Sequence, residues 1–143
     1  MPRTRKPASR TPSRCRRGSS AIAAADARLR RVFALARTDP IPEVDEASLL
    51  RFHDYLAAQL SVPFEAVWDH EAEPLKQKSD PITVRGLRSP RDDSGIDEMY
   101  GLFCEARLRR RTIEVPLAEL AMNKAGLNHL LVDDYTYWFW NWR

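Results

Sequence analysis

The run PFEAVWDHEAEPLKQKSDPITVRGLR, residues 63–88, decides the fold, because at Pro63 the apolar pattern changes from a helical repeat to period two. FEAVWD (64–69) reads as one strand, and Pro81 opens a second, ITVRGLR (82–88). After the first of these, Asp69, Glu71 and Glu73 occupy strictly alternating positions. If that stretch is extended, the three carboxylates point to one side, about 7 Å from one to the next. Each neighbouring pair then repels by about 0.6 kcal/mol in bulk water and about 2.4 kcal/mol at an effective dielectric near 20. Plain water, the chain's own Lys and Arg, or a bound cation can make such a face tolerable.

Ahead of the period-two run lies EASLLRFHDYLAAQL (46–60), with Asp45 as N-cap and Leu49, Phe52, Leu56 and Leu60 as a buried stripe. An earlier helix, AIAAADARLRRVFALAR (21–37), is rich in strong helix formers and stops before Pro40 and Pro42. Behind the second strand, SPRDDSGIDEM (89–99) reads as a turn-rich connection. YGLFCEARLR (100–109) reads as a third strand, TIEVPL (112–117) as a short fourth, and LAELAMN as a helical turn. The last eighteen residues, GLNHLLVDDYTYWFWNWR, have two readings. As a helix capped by Asp133, they place Tyr135, Trp138, Phe139 and Trp142 on one face; as a strand, they place Trp138, Trp140 and Trp142 on one side. We take the helix, its aromatics forming core.

These elements predict an α+β fold: a small curled antiparallel sheet, barrel-like, preceded by a helix and closed by an aromatic C-terminal helix. Residues 1–19 read as a disordered basic tail, 20–45 as a helix with a Pro-rich linker, and 46–143 as the folded domain.

The formal net charge of +3 conceals an asymmetry. Residues 1–37 hold eleven Lys and Arg against Asp26, a local charge of +10, while residues 38–143 hold twelve against nineteen acids, a local charge of −7. No run approaches the ~18 apolar residues of a membrane span. Two cysteines at no metal-ligand spacing suggest a reducing, cytoplasmic setting. The basic tail offers Arg3, Arg5, Lys6, Arg10, Arg14, Arg16 and Arg17 to nucleic acid or another acidic partner. An interaction module of that kind, without metal, is the alternative function. A solubilising extension, or an arm folding back on the acidic domain, fits the same residues.

A second acidic cluster, Asp92, Asp93, Asp97 and Glu98, lies in the connection after the second strand, where Ser94 and Gly95 let carbonyls turn inward. The EF-hand pattern fails there. Arg85, Arg88 and Arg91 lie near enough in sequence to neutralise these acids. The expected geometry brings this connection close to the end of the first strand, so that one cation bridges both clusters. Catalysis finds no motif: His53, His70 and His129 are separated, without HExxH or GxSxG, and no enzyme activity is expected. His70 projects away from the carboxylates if the strand is regular.

The succession VPFEAVW (62–68), PL (74–75), ITVRGL (82–87), DDSGIDEMYG (92–101), CEARLRRRTIEVPLAEL (104–120) and LVDDYTYWFWNWR (131–143) resembles the CcbP-like calcium-binding family over about residues 48–143. The resemblance implies a small soluble protein that binds Ca²⁺ through an acidic surface rather than through EF-hands, without enzyme activity. It carries no ligand list. The metal candidates therefore come from the residues themselves: Asp69, Glu71, Glu73, Asp92, Asp93, Asp97 and Glu98, hard oxygen donors of the kind Ca²⁺ requires.

Overall fold

The computed structural model describes residues 19–89, 96–122 and 124–143. The expected disordered tail, apart from Ser19, and the acids Asp92 and Asp93 lie outside the described residues. The chain divides into two units, Met1–Ile41 and Pro42–Arg143.

The first unit carries helix α1, Ser19–Val32. It ends five residues before the expected Arg37, because Ala34 turns into the left-handed region at φ 55. Two contacts close that turn: Arg30 Nε donates to the Asp39 carbonyl at 3.0 Å, and the Asp39 carboxylate takes the Ala36 N–H at 2.9 Å.

The second unit opens with helix α2, Glu46–Gln59. Asp45 caps it as expected, and the cap is reciprocal. The Ser48 N–H donates to Asp45 Oδ1 at 2.8 Å and the Asp45 N–H to Ser48 Oγ at 2.9 Å, satisfying two orphan donors. Leu49, Phe52 and Leu56 form its buried stripe.

Strands β1 (Phe64–Glu73) and β2 (Lys76–Leu87) make an antiparallel hairpin, paired from Phe64↔Val84 to Glu73↔Lys76. Both outrun the expected strands by several residues toward the tip. Phe64, Ala66, Ile82 and Val84 supply the buried face. Pro81 is compatible with a central strand because the next ladder starts only at Thr83↔Arg107, on strand β4 (Gly101–Leu108). A two-residue strand β3 (Ile96–Asp97), inside the expected connection, pairs with the start of β4. Strand β5 (Arg111–Pro116) pairs with β4 along its length.

The segment after β5 is a single 3₁₀ turn, Leu117–Glu119, where a helical turn was expected. It then becomes β6 (Leu120–Ala121), which pairs with β1 at Val67 and Trp68. The six-stranded sheet thus runs β3-β4-β2-β1-β6 with β5 beside β4. It is curled, with one segment bordering both edges, and stays open.

Helix α3, Leu127–Asn141, closes the core. It begins at Gly126, φ 152, rather than at Asp133, so Asp133 and Asp134 lie inside the helix and are not its caps. Tyr135, Trp138 and Phe139 are buried against Phe52 of α2, with ring centroids 5.2 and 5.0 Å from Phe52 for the first two. Both polar tips are satisfied: Trp138 Nε1 donates to the Pro42 carbonyl at 2.9 Å, and the Tyr135 hydroxyl accepts the Leu102 N–H at 2.8 Å. Trp142, expected on that face, caps the helix end and meets Tyr137 edge-on at 5.4 Å. No described helix is long and apolar enough to cross a membrane.

Candidate metal centre

Beyond Trp68, strand β1 has lost β6 as a neighbour, and β2 before Thr83 has no ladder to β4. Residues 69–80 are therefore a two-stranded ribbon, and its odd-numbered β1 positions face solvent. Asp69 accepts the Ser79 hydroxyl opposite it. Glu71 Oε2 takes the Leu75 N–H at 3.2 Å, and Glu73 lies 3.7 Å from Lys76 Nζ. All three carboxylates are exposed. At that exposure the pairwise repulsion stays near the bulk-water value of about 0.6 kcal/mol. Water, two local donors and one lysine suffice to hold the face together without metal.

Of the second cluster, Asp97 and Glu98 are described. Asp97 sits in β3 opposite Gly101, its Oδ1 taking the Met99 N–H at 2.7 Å, and Glu98 is exposed in the turn that follows. Arg143 secures this turn from α3: its Nη1 donates to the Met99 carbonyl at 3.0 Å while its guanidinium lies 4.5 Å from the Phe139 ring centroid. Arg88, expected beside these acids, instead meets Glu114 of β5 at 2.7 Å.

The two clusters do not meet. In an antiparallel hairpin the connection after β2 returns to the start of β1, not to its end. Ser79, opposite Asp69, and Leu87, opposite Cys104, are eight residues apart on β2, about 26 Å along the strand. Gly101 and Asp97 lie further on in the same direction. One cation bridging both clusters is therefore excluded by topology. Among the described residues, no three His, Cys, Asp or Glu side chains converge as a metal cage. The donor chemistry suits Ca²⁺, since every candidate is a carboxylate oxygen, but each cluster acts alone and most of the ion's shell is left to water.

The ribbon's other face carries what sequence reasoning missed. Trp68 and His70 stack with centroids 3.7 Å apart. His70 Nε2 lies 2.8 Å from Oδ2 of the buried Asp80, and Trp68 Nε1 donates to Glu119 Oε1 at 2.9 Å. The hydrogen bond from His70, with Lys78 and Arg109 nearby, holds the Asp80 carboxyl below its usual range, against the desolvation that would raise it. Burial pushes the Glu119 carboxyl up, only partly offset by the Trp68 hydrogen bond and His70. The chain Asp80–His70–Trp68–Glu119 ties β2, β1 and the 3₁₀ turn together across the narrow two-residue junction with β6. The signal for it was the register that sets Trp68 opposite Asp80, which a sequence shows only once the whole hairpin is granted. His70 does project away from the carboxylates, as expected. Cys104 is sealed in the core, where desolvation pushes its thiol up to about 12, and supplies no thiolate ligand.

The sequence pattern of the CcbP family, described as calcium binding, matches residues 42–139. No curated protein sequence matches the chain. The fold is similar to that of the crystal structure of Anabaena CcbP, with TM-score 0.56 at 13% identity, over 80% of this chain and 88% of that one. It is likewise similar to a structure described as a calcium binding protein in the calcium-binding form, with TM-score 0.58 at 12% identity and the same coverages.

Proposed function

The chain belongs to the CcbP family of calcium-binding proteins, and on that premise we propose that it binds Ca²⁺ through two separate carboxylate surfaces. One is the outer face of the β1–β2 ribbon, Asp69, Glu71 and Glu73. The other is the segment carrying Asp92, Asp93, Asp97 and Glu98. The observation that supports this reading is the ribbon itself. It presents three alternating carboxylates to solvent, on a strand whose opposite face is pinned by Trp68, His70 and Asp80. An ion needing six to eight oxygens finds two or three there and keeps several waters, which places affinity in the range of about 10⁻⁵ to 10⁻³ M. Because the inner face is already fixed, ion uptake changes the charge of the ribbon more than its shape. This is the behaviour of a buffer, and no catalytic role is assigned to it.

Isothermal titration of the full chain with CaCl₂, at low and moderate salt, tests the reading together with thermal melts. A ligand that binds only the folded state must raise the melting temperature. Absence of both heat and thermal stabilisation at millimolar Ca²⁺ would remove the proposal. Retention of full binding by Asp69→Asn/Glu71→Gln/Glu73→Gln would move the site off the ribbon.

A further inference from the structure

The ribbon ends in Leu75, which is 98% exposed and held at φ 66. A turn that only has to reverse the chain would place Gly or Asn there, since both enter the left-handed region freely and leucine does not. Nothing in the unit's core rewards the leucine, because its side chain reaches into solvent. Glu71 and Glu73 stand beside it on the same tip. The tip therefore presents an apolar knob with an acidic flank.

The complementary surface lies at the other end of β1. Strand β6 pairs with β1 only at Val67 and Trp68, and the chain then leaves the ladder. Beside Phe64–Ala66 this opens a cleft of about 440 Å³ floored by Phe64, Ala66 and the half-exposed Leu127, with Lys124 and His129 at its rim. The remaining charge there, Glu65, accepts the Thr83 hydroxyl at 3.3 Å and so is directed along the sheet toward β2. Shape and charge are opposite to those of the tip: an apolar hollow with a basic rim.

We propose that the ribbon tip of one copy of this chain docks in this cleft of a second copy, Leu75 filling the hollow and Glu73 facing Lys124. The occupant must be another molecule, because Phe64 and Glu73 are nine residues apart on one strand, about 30 Å. Two copies laid antiparallel along β1 bring each tip to the other's cleft, so the contact closes as a reciprocal pair. The pairing does not rest on the calcium reading and is measured in EDTA, so either can fail without the other.

Sedimentation velocity on the full chain, from micromolar to near-millimolar concentration, is the experiment. The wild type forms a dimer in a concentration-dependent way. Leu75→Gly, which suits the turn's backbone and so keeps the fold, weakens it at least tenfold. Glu73→Lys and Lys124→Glu each weaken self-association of the single variant, and an equimolar mixture of the two recovers mixed dimers, since each such pair retains one matched contact. A wild type that stays monomeric throughout the range overturns the proposal and leaves the cleft to a different partner. So does a dimer indifferent to Leu75→Gly, or a mixture that shows no recovery.

Discussion

Substituting Gly101 by alanine tests how the sheet is fastened to α3. Gly101 opens β4 at φ 79, and a Cβ built there would fall on the Tyr135 hydroxyl and within 2.7 Å of Phe139 Cε1. Two costs add. An L-residue in the left-handed region loses about 1–2 kcal/mol, and forcing a methyl into a packed aromatic contact costs about 1–3 kcal/mol. The sum, about 2–5 kcal/mol, lowers the melting temperature of a unit of this size by about 10 °C or more. Near-UV circular dichroism of the α3 aromatics follows the right unit. Gly86→Ala is the control: it sits at the ladder irregularity after Val84 with nothing within 4 Å of its added Cβ, and should change stability by under about 1 kcal/mol. Tyr135→Phe removes the acceptor of the buried Leu102 N–H and costs about 1–3 kcal/mol. In that background Gly101→Ala costs less than in the wild type, because the hydroxyl collision is gone while the Phe139 contact and the backbone penalty remain. A Gly101→Ala protein melting within about 3 °C of wild type would refute this account of the joint.

Asp80 and Glu119 carry opposite pH signatures. Asp80, held low by His70, contributes stability above the ordinary carboxylate range that is lost as pH falls through its depressed folded pKa, so Asp80→Asn flattens the acid limb of a urea-midpoint profile. Glu119, raised by burial, makes stability fall as pH rises from the ordinary carboxylate range through its folded pKa, so Glu119→Gln gains relative to wild type as pH increases from about 4. The same slope in both variants would contradict the opposed shifts. Cys104 should react with a thiol reagent only on unfolding, since it is buried with its thiol pushed up to about 12; rapid labelling of the native chain would show the core to be open. The two acidic clusters, lying far apart along the sheet, should lose Ca²⁺ binding energy additively, and a coupling above about 0.5 kcal/mol in a double-mutant cycle would mean that they share an ion after all.

The helix α2 and the strand cores were legible in the sequence because each buries one face, and burial is what writes a period into a chain. The ribbon was not. In DHEAE and KQKS water lies over the outer face, and the inner positions hold His70 and Asp80 rather than aliphatic residues, so no apolar alternation marks the strands although the backbone alternates throughout. The start of α3 was misplaced for a related reason. Asp133 has the composition of a cap, but Gly126 begins the helix without any side-chain bond, and Asp134 is buried as an interior residue. In each case the side chain that looked informative was answering to a tertiary neighbour invisible along the chain.

The same consideration explains why the acids were found and their grouping was not. Carboxylates at alternate positions show directly in a sequence; which end of a sheet they occupy depends on the sense of a hairpin whose true length was hidden. Once β1 is granted ten residues, its end and the connection after β2 lie at opposite ends of one strand pair, and a shared ion becomes impossible. Separation in turn sets the character of the binding. A bridged site would draw on six or seven carboxylates and hold its ion tightly against their mutual repulsion. Two isolated surfaces with little repulsion to relieve gain little from each ion, and the gain shrinks further as salt screens them. A calcium affinity that falls steeply between low and moderate salt follows from that geometry, and one that is tight and indifferent to salt would require a cage closed by residues outside the ribbon.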